Sequence, residues 1–140
     1  MEPPLQLCDP ASLRAFRISP QDTVRLAVIH HPDATYDSSV VFEVWDPGGA
    51  QPPNKHERSV ETFLFLKGSG TAYCDGYQTR VRAGQLLVLA PGSLHRIVAD
   101  SSSRLYAITT MAPDEGFAQL IESGHPAPLE AEDLAVLGSV

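Results

Sequence analysis

Residues Asn54 to Glu61 bring an amide, an imidazole and a carboxylate into one short stretch, "NKHERSVE". Asn54 and His56 are two apart, so on an extended chain they point to the same side. Glu61 opens an apolar run in which Phe63 and Phe65 share its face. A carboxylate heading a row of buried aromatics is costly unless it is paired, protonated or bound to a cation. A second stretch, "AGQLLVLAPGSLHRIVA", runs an apolar strand into Pro91-Gly92 and then His95, with Ile97 and Ala99 on its face. His56, Glu61 and His95 together offer two imidazoles and one carboxylate. That set suits Fe(II), Mn(II), Ni(II) or Zn(II) and leaves positions open for water or substrate. Asn54 offers a neutral oxygen, a weaker donor than imidazole, which either coordinates or orients a water.

Strands must carry these residues. Apolar and alternating runs fall at 23–29, 39–45, 61–67, 70–75, 77–82, 85–90, 95–100 and 104–110. Between them lie the turn signals "DPGG", "KGSG", "DG", "AG", "PGS" and "DSSS". Asp75-Gly76 predicts a tight hairpin with both central residues at positive φ. Asp9 and Pro10 cap and start an expected helical segment at about 9–16. Phe117, Leu120 and Ile121 form one apolar stripe in a second segment at about 113–123, which Gly124 stops. The tail from Glu130 adds another expected helical turn. This predicts an all-β chain, one domain over 1–140 with its barrel core at about 22–110 and short terminal helices.

The totals agree with one such domain. The 140 residues are 43% hydrophobic, enough to build a core. The net charge of −7 argues against nucleic acid or an anionic membrane surface as partner, because both need basic patches. No apolar run approaches the roughly 20 residues that span a bilayer. No basic stretch followed by an apolar run opens the chain, so the cytoplasm is the expected location. Cys8 and Cys74 form no CxxC and read as free thiols, Cys74 as a small buried hydrophobe.

The two chemistry-bearing stretches resemble the two motifs of the cupin superfamily. The first, G-x5-H-x-H-x3-4-E-x6-G, is matched by Gly48, His56, Glu61 and Gly68, with Asn54 at the first His. The second, G-x5-P-x-G-x2-H-x3-N, is matched by Gly84, Gly92 and His95; Ala90 replaces the Pro and Ala99 the Asn. The resemblance implies a jelly-roll β-barrel. It also implies that His56, Glu61 and His95 are ligands of a divalent metal, with Asn54 at the fourth position. Metal-dependent dioxygenation of a small organic substrate is the favoured activity. A non-catalytic barrel binding or sensing a small molecule and a metal-dependent sugar isomerase or epimerase are the alternatives, because the fold does not decide among them.

Four further residues are candidates for a substrate pocket: Arg58, Phe63, Tyr73 and Tyr106. Arg58 lies in the turn between His56 and Glu61, where it either receives a substrate carboxylate or is a solvated rim residue. Arg96 follows His95 and therefore faces the other way. The tyrosines offer phenols, although strand aromatics serve more often in a core or interface. His30, His31 and His125 read as solvated, and Trp45 as core or dimer contact. Thr62, Leu64 and Leu66 alternate with Glu61, Phe63 and Phe65, so both faces of that strand want cover. A homodimer is the expected assembly.

Overall fold

The computed structural model describes residues 4–138. Eleven strands form among the described residues: β1 (Ala15–Arg17), β2 (Val24–His30), β3 (Ser39–Trp45), β4 (Asn54–Lys55), β5 (Val60–Lys67), β6 (Ser69–Cys74), β7 (Tyr77–Arg82), β8 (Leu86–Leu89), β9 (Leu94–Ala99), β10 (Leu105–Ala112) and β11 (His125–Pro126). Two helices follow the barrel strands, α1 (Phe117–Glu122) and α2 (Ala131–Gly138). The strands make two antiparallel sheets, ordered β11-β1-β2-β3-β10-β5-β8 and β4-β9-β6-β7. This is the expected all-β jelly roll.

Period-two alternation sorts the side chains onto two faces. Facing inward are Val24, Leu26 and Val28 of β2, Val41 and Trp45 of β3, Phe63 and Phe65 of β5, and Leu105, Ala107 and Met111 of β10. Ala72, Val81, Ile97 and Ala99 close the same cluster from the smaller sheet. The outer face of the larger sheet carries a second cluster, Ala27, Phe42, Val44 and Tyr106, covered by Val136 of α2. The rest of that outer face, at the β5–β8 edge, leaves Val60, Leu64, Leu86 and Val88 exposed.

The crossing from β5 to β6 is a demanding turn. Gly68, at φ +90, joins β5 of one sheet to β6 of the other, and a Cβ there would sit 2.3 Å from the Arg104 carbonyl oxygen. Only glycine meets both conditions. Asp75 and Gly76 both take positive φ, at 48 and 84, as the hairpin expectation required.

The ends differ from expectation. The 9–16 segment is not a helix of that length: a 3-10 turn covers only Pro10–Ser12, and Ala15–Arg17 is a strand. Ala15 and Phe16 pair with Ala27 and Leu26, and burial of both in separate clusters outweighs local helix propensity. The 113–123 helix starts later, at Phe117, because Glu115 and Gly116 take positive φ, at 53 and 80, outside the right-handed helical region; Asp114 accepts from the Ala118 N–H at 3.1 Å. The tail turn is a full helix, α2.

A buried ion network anchors α2. Asp133, fully buried, contacts Arg25 at 2.9 Å and Arg104 at 2.8 Å, and accepts from the Tyr106 hydroxyl at 2.8 Å. Burial, helped by Asp133, pushes the Tyr106 phenol up to about 12. Tyr106 therefore lies outside the barrel interior, and its hydroxyl serves the helix anchor. Tyr106→Phe is expected to cost about 1.5–3 kcal/mol in urea unfolding, the worth of one buried hydrogen bond to a charged group. Metal affinity should be unchanged in the same protein; a loss of metal binding would return Tyr106 to the site.

Candidate metal centre

Three elements converge on one end of the barrel interior. Glu61 is the second residue of β5, held between Met111 of β10 and Leu89 of β8. His95 sits in β9, opposite Asn54 of β4 and Cys74 of β6. His56 follows β4 in a turn. That turn is fixed from two sides. The Gly92 N–H donates to the His56 carbonyl at 2.6 Å, and Gly92 has φ +78, which explains a glycine after Pro91. From the other side, Glu115 accepts from the Ser59 N–H at 3.1 Å, the Arg58 N–H at 3.3 Å and the Ser59 hydroxyl at 2.6 Å. The Ser59 hydrogen bond, with those N–H groups and Arg58, holds the Glu115 carboxyl below its ordinary range. The loop before α1 thus positions His56, and Phe117 of α1 packs against its ring at 5.9 Å.

Ligand atoms of His56, Glu61 and His95 all lie within 4.8 Å of one another. His95 Nε2 is 2.8 Å and His56 Nε2 3.6 Å from the same oxygen, Glu61 Oε1. Glu61 and His95 are buried, at 3% and 8% exposed. Nevertheless Glu61 Oε1 and His56 Nε2 have no hydrogen-bond partner, so the short His95 contact lacks hydrogen-bond geometry. Buried polar atoms left in this way cost free energy unless something else satisfies them. A cation does so: ligands on neighbouring positions of one ion, with bonds of about 2.1 Å, stand roughly 3 Å apart. The two measured edges are of that size, and two imidazoles with a carboxylate are the donors that divalent transition metals take. The residues fit a metal.

Asn54 shares the interior side with His95, its register partner. Its Oδ1 accepts from the Lys55 N–H at 2.9 Å, which turns the oxygen back onto its own strand. Phe63 stands beside the trio, its ring 6.4 Å from His95 in an edge-on arrangement. Arg58 points to solvent, 74% exposed, and pairs with Glu115 at 3.6 Å on the rim. Tyr73 pairs in register with Arg96 on the outer face, where both line a groove of about 280 Å³. Inward-facing Ala72, Cys74, Thr79, Leu87 and Leu89 line a mostly apolar cleft of about 390 Å³ between the sheets. Cys74 and Leu89 are the register partners of His95 and Glu61, so this cleft runs alongside the trio.

One interior acid escaped the sequence reasoning. Glu43 of β3 is 1% exposed and alternates with Val41 and Trp45, so it faces the barrel interior. The Thr109 hydroxyl donates to it. Burial pushes its carboxyl up to about 8, the charge of Glu61 adding to the shift and the Thr109 hydrogen bond opposing it. The signal was present in "SVVFEVW": one acid in an apolar strand, on the same parity as a tryptophan.

Two antiparallel sheets closed around an interior His/Glu trio define a jelly-roll barrel with a candidate metal centre. The chain belongs to the cupin family: the Cupin domain (Cupin_2) family pattern matches residues 41–111. No curated protein matches the chain. Among solved structures it is similar to Rru_A2000 of Rhodospirillum rubrum, a cupin-2 domain, at 19% identity and TM-score 0.65, covering 97% of this chain and 87% of that one. It is also similar to KdgF of Halomonas sp., at 18% identity and TM-score 0.64, covering 77% and 93%. A third similar structure is a predicted oxalate decarboxylase of Thermotoga maritima, at 18% identity and TM-score 0.63, covering 76% and 97%. At these identities the likeness is one of fold. No helix among the described residues is long and apolar enough to cross a membrane.

Proposed function

We propose that the chain binds one divalent metal through His56, Glu61 and His95 and acts on a small organic molecule, with oxygenation as the favoured chemistry. The observation that carries this reading is the buried trio itself, whose Glu61 Oε1 and His56 Nε2 lack hydrogen-bond partners. Held there, a divalent ion supplies Lewis acidity, and iron or manganese adds one-electron chemistry. The chain's own residues supply the rest. His56 and His95 present ring nitrogens, and Glu61 balances part of the charge. Phe63, Trp45 and Phe117 exclude water, which strengthens every electrostatic contact inside. Asn54 either ligates through its second lone pair or orients a neighbouring group, because the Lys55 N–H takes only one of the two.

A second reading, metal-assisted isomerisation by proton transfer, gains from one observation. Glu43 is a buried carboxyl facing the same interior, able to hold a proton at neutral pH. A homodimer is part of the proposal, through the exposed Val60, Leu64, Leu86 and Val88 of the β5–β8 edge.

Metal analysis of protein purified without chelator tests the first step, followed by titration with Fe(II), Mn(II), Ni(II) and Zn(II). About one equivalent is expected for a single site; no metal and no binding would overturn the reading. Oxygen uptake over a panel of catechols, thiols and small acids then separates oxygenation from isomerisation or binding alone.

A further inference from the structure

Beside His95 lies a small cavity of about 10 Å³, walled by Trp45, Gln51, Asn54, Phe63 and His95 among others. That volume is about one water-sized probe, room for a single oxygen atom. Two of its wall residues carry buried donors with no partner: Trp45 Nε1 and Gln51 Nε2. Trp45 is 1% exposed, so its indole N–H has no recourse to solvent. An indole nitrogen is a donor only. Asn54 Oδ1 already accepts from the Lys55 N–H, which leaves it one lone pair on that side. No carboxylate lines the cavity. Two unpartnered donors therefore stand against one spare lone pair of Asn54. A water would bring two protons that need acceptors; a carboxylate oxygen brings none.

We propose that this niche receives one oxygen of a small carboxylate ligand, with Trp45 Nε1–H and Gln51 Nε2–H donating to it beside the metal residues. The inference deepens the function proposed above by naming a ligand class, and it rests on that reading for the neighbouring cation. The donors themselves do not depend on a metal. Asn54 gains a place as well: as the register partner of His95, it walls the niche where the family motif has a histidine.

Trp45 is the chain's single tryptophan, so its fluorescence reports this niche without a label. The test titrates sodium formate, at ionic strength matched with sodium chloride, into metal-free protein and into protein loaded with Zn(II). A saturable change in Trp45 emission is expected in both, at lower formate concentration with zinc. Gln51→Met, which keeps the length and loses the donor, should weaken formate binding about tenfold or more, the loss of one hydrogen bond to a charged group. Gln51→Glu, which turns donor into acceptor, should weaken it at least as much. Near-unchanged emission of both variants without formate confirms that Trp45 keeps its setting. No saturable change in wild type, or equal formate affinity in wild type and both variants, would overturn the proposal and leave the niche to water. Zinc occupancy is measured separately by metal analysis. If zinc does not bind, the metal reading fails and the metal-free titration still decides this one.

Discussion

Glu61→Gln is expected to weaken divalent-metal binding at least 100-fold, about 3 kcal/mol, while leaving the metal-free protein folded. The two effects have opposite physical origins. In the loaded protein the carboxylate supplies charge and an oxygen ligand, and Gln supplies a neutral, weaker donor. In the metal-free protein the same carboxylate is 3% exposed and its Oε1 lacks a hydrogen-bond partner. Removing that buried charge relieves a desolvation cost, so the metal-free variant should be at least as stable as wild type. With metal at about 100 times its Kd, wild type should gain roughly 2.7 kcal/mol from binding, and the variant should gain almost nothing. Calorimetric titration gives the affinity, and thermal melts with and without metal give the stability. Equal affinity in both proteins would remove Glu61 from the ligand set. A metal-free variant that is markedly less stable would mean that Glu61 is structural.

Glu43→Gln should change how stability depends on pH. The Glu43 carboxyl titrates at about 8 in the folded protein against 4.5 in an unperturbed setting, chiefly because of burial. A folded value above the unfolded one means that the unfolded chain loses its proton first. The contribution of Glu43 is fully present below pH 4.5 and is lost as the pH rises through 8. At about 1.4 kcal/mol for each pH unit, the loss across that window is several kcal/mol. Gln has nearly the same shape and does not ionise. Metal-free wild type should therefore lose stability relative to Glu43→Gln between pH 5 and pH 8. Urea midpoints across that range measure it, and parallel curves for the two proteins would show that Glu43 does not titrate this way. Loading the site opposes the effect, because a cation near Glu61 cancels the charge that helps push Glu43 upward.

The barrel itself was legible from local signals. Strands at 39–45 and 77–82 match to the residue, because alternation and Gly-containing turns are short-range features. The hairpin at Asp75-Gly76 is likewise a local matter of φ. The ends were less legible. Ala15–Arg17 looks helical in isolation and becomes a strand only because Ala27 and Leu26 lie alongside. The pairing partners are ten and twelve residues away and leave no local trace.

The trio of His56, Glu61 and His95 stood out by residue type and motif spacing, but spacing says nothing about distance. Other assignments turned on which face a strand presents. Tyr106 and Glu43 sit on neighbouring strands with opposite parity: one reaches out to Asp133 beneath α2, the other faces the barrel interior. A strand's alternation reveals two faces without saying which will be covered by the opposite sheet and which by a helix.

By itself, then, the sequence determined the strand pattern, the glycines at the sheet crossings and the residue types of a candidate metal set. These follow from backbone sterics and side-chain chemistry acting over a few residues. Tertiary structure alone decided that His56, Glu61 and His95 meet within 4.8 Å, that Glu43 lies in the barrel interior, and that Trp45 and Gln51 wall one niche with unpartnered donors. Each of those depends on register between strands distant in the chain, and register is fixed by which faces can be buried together.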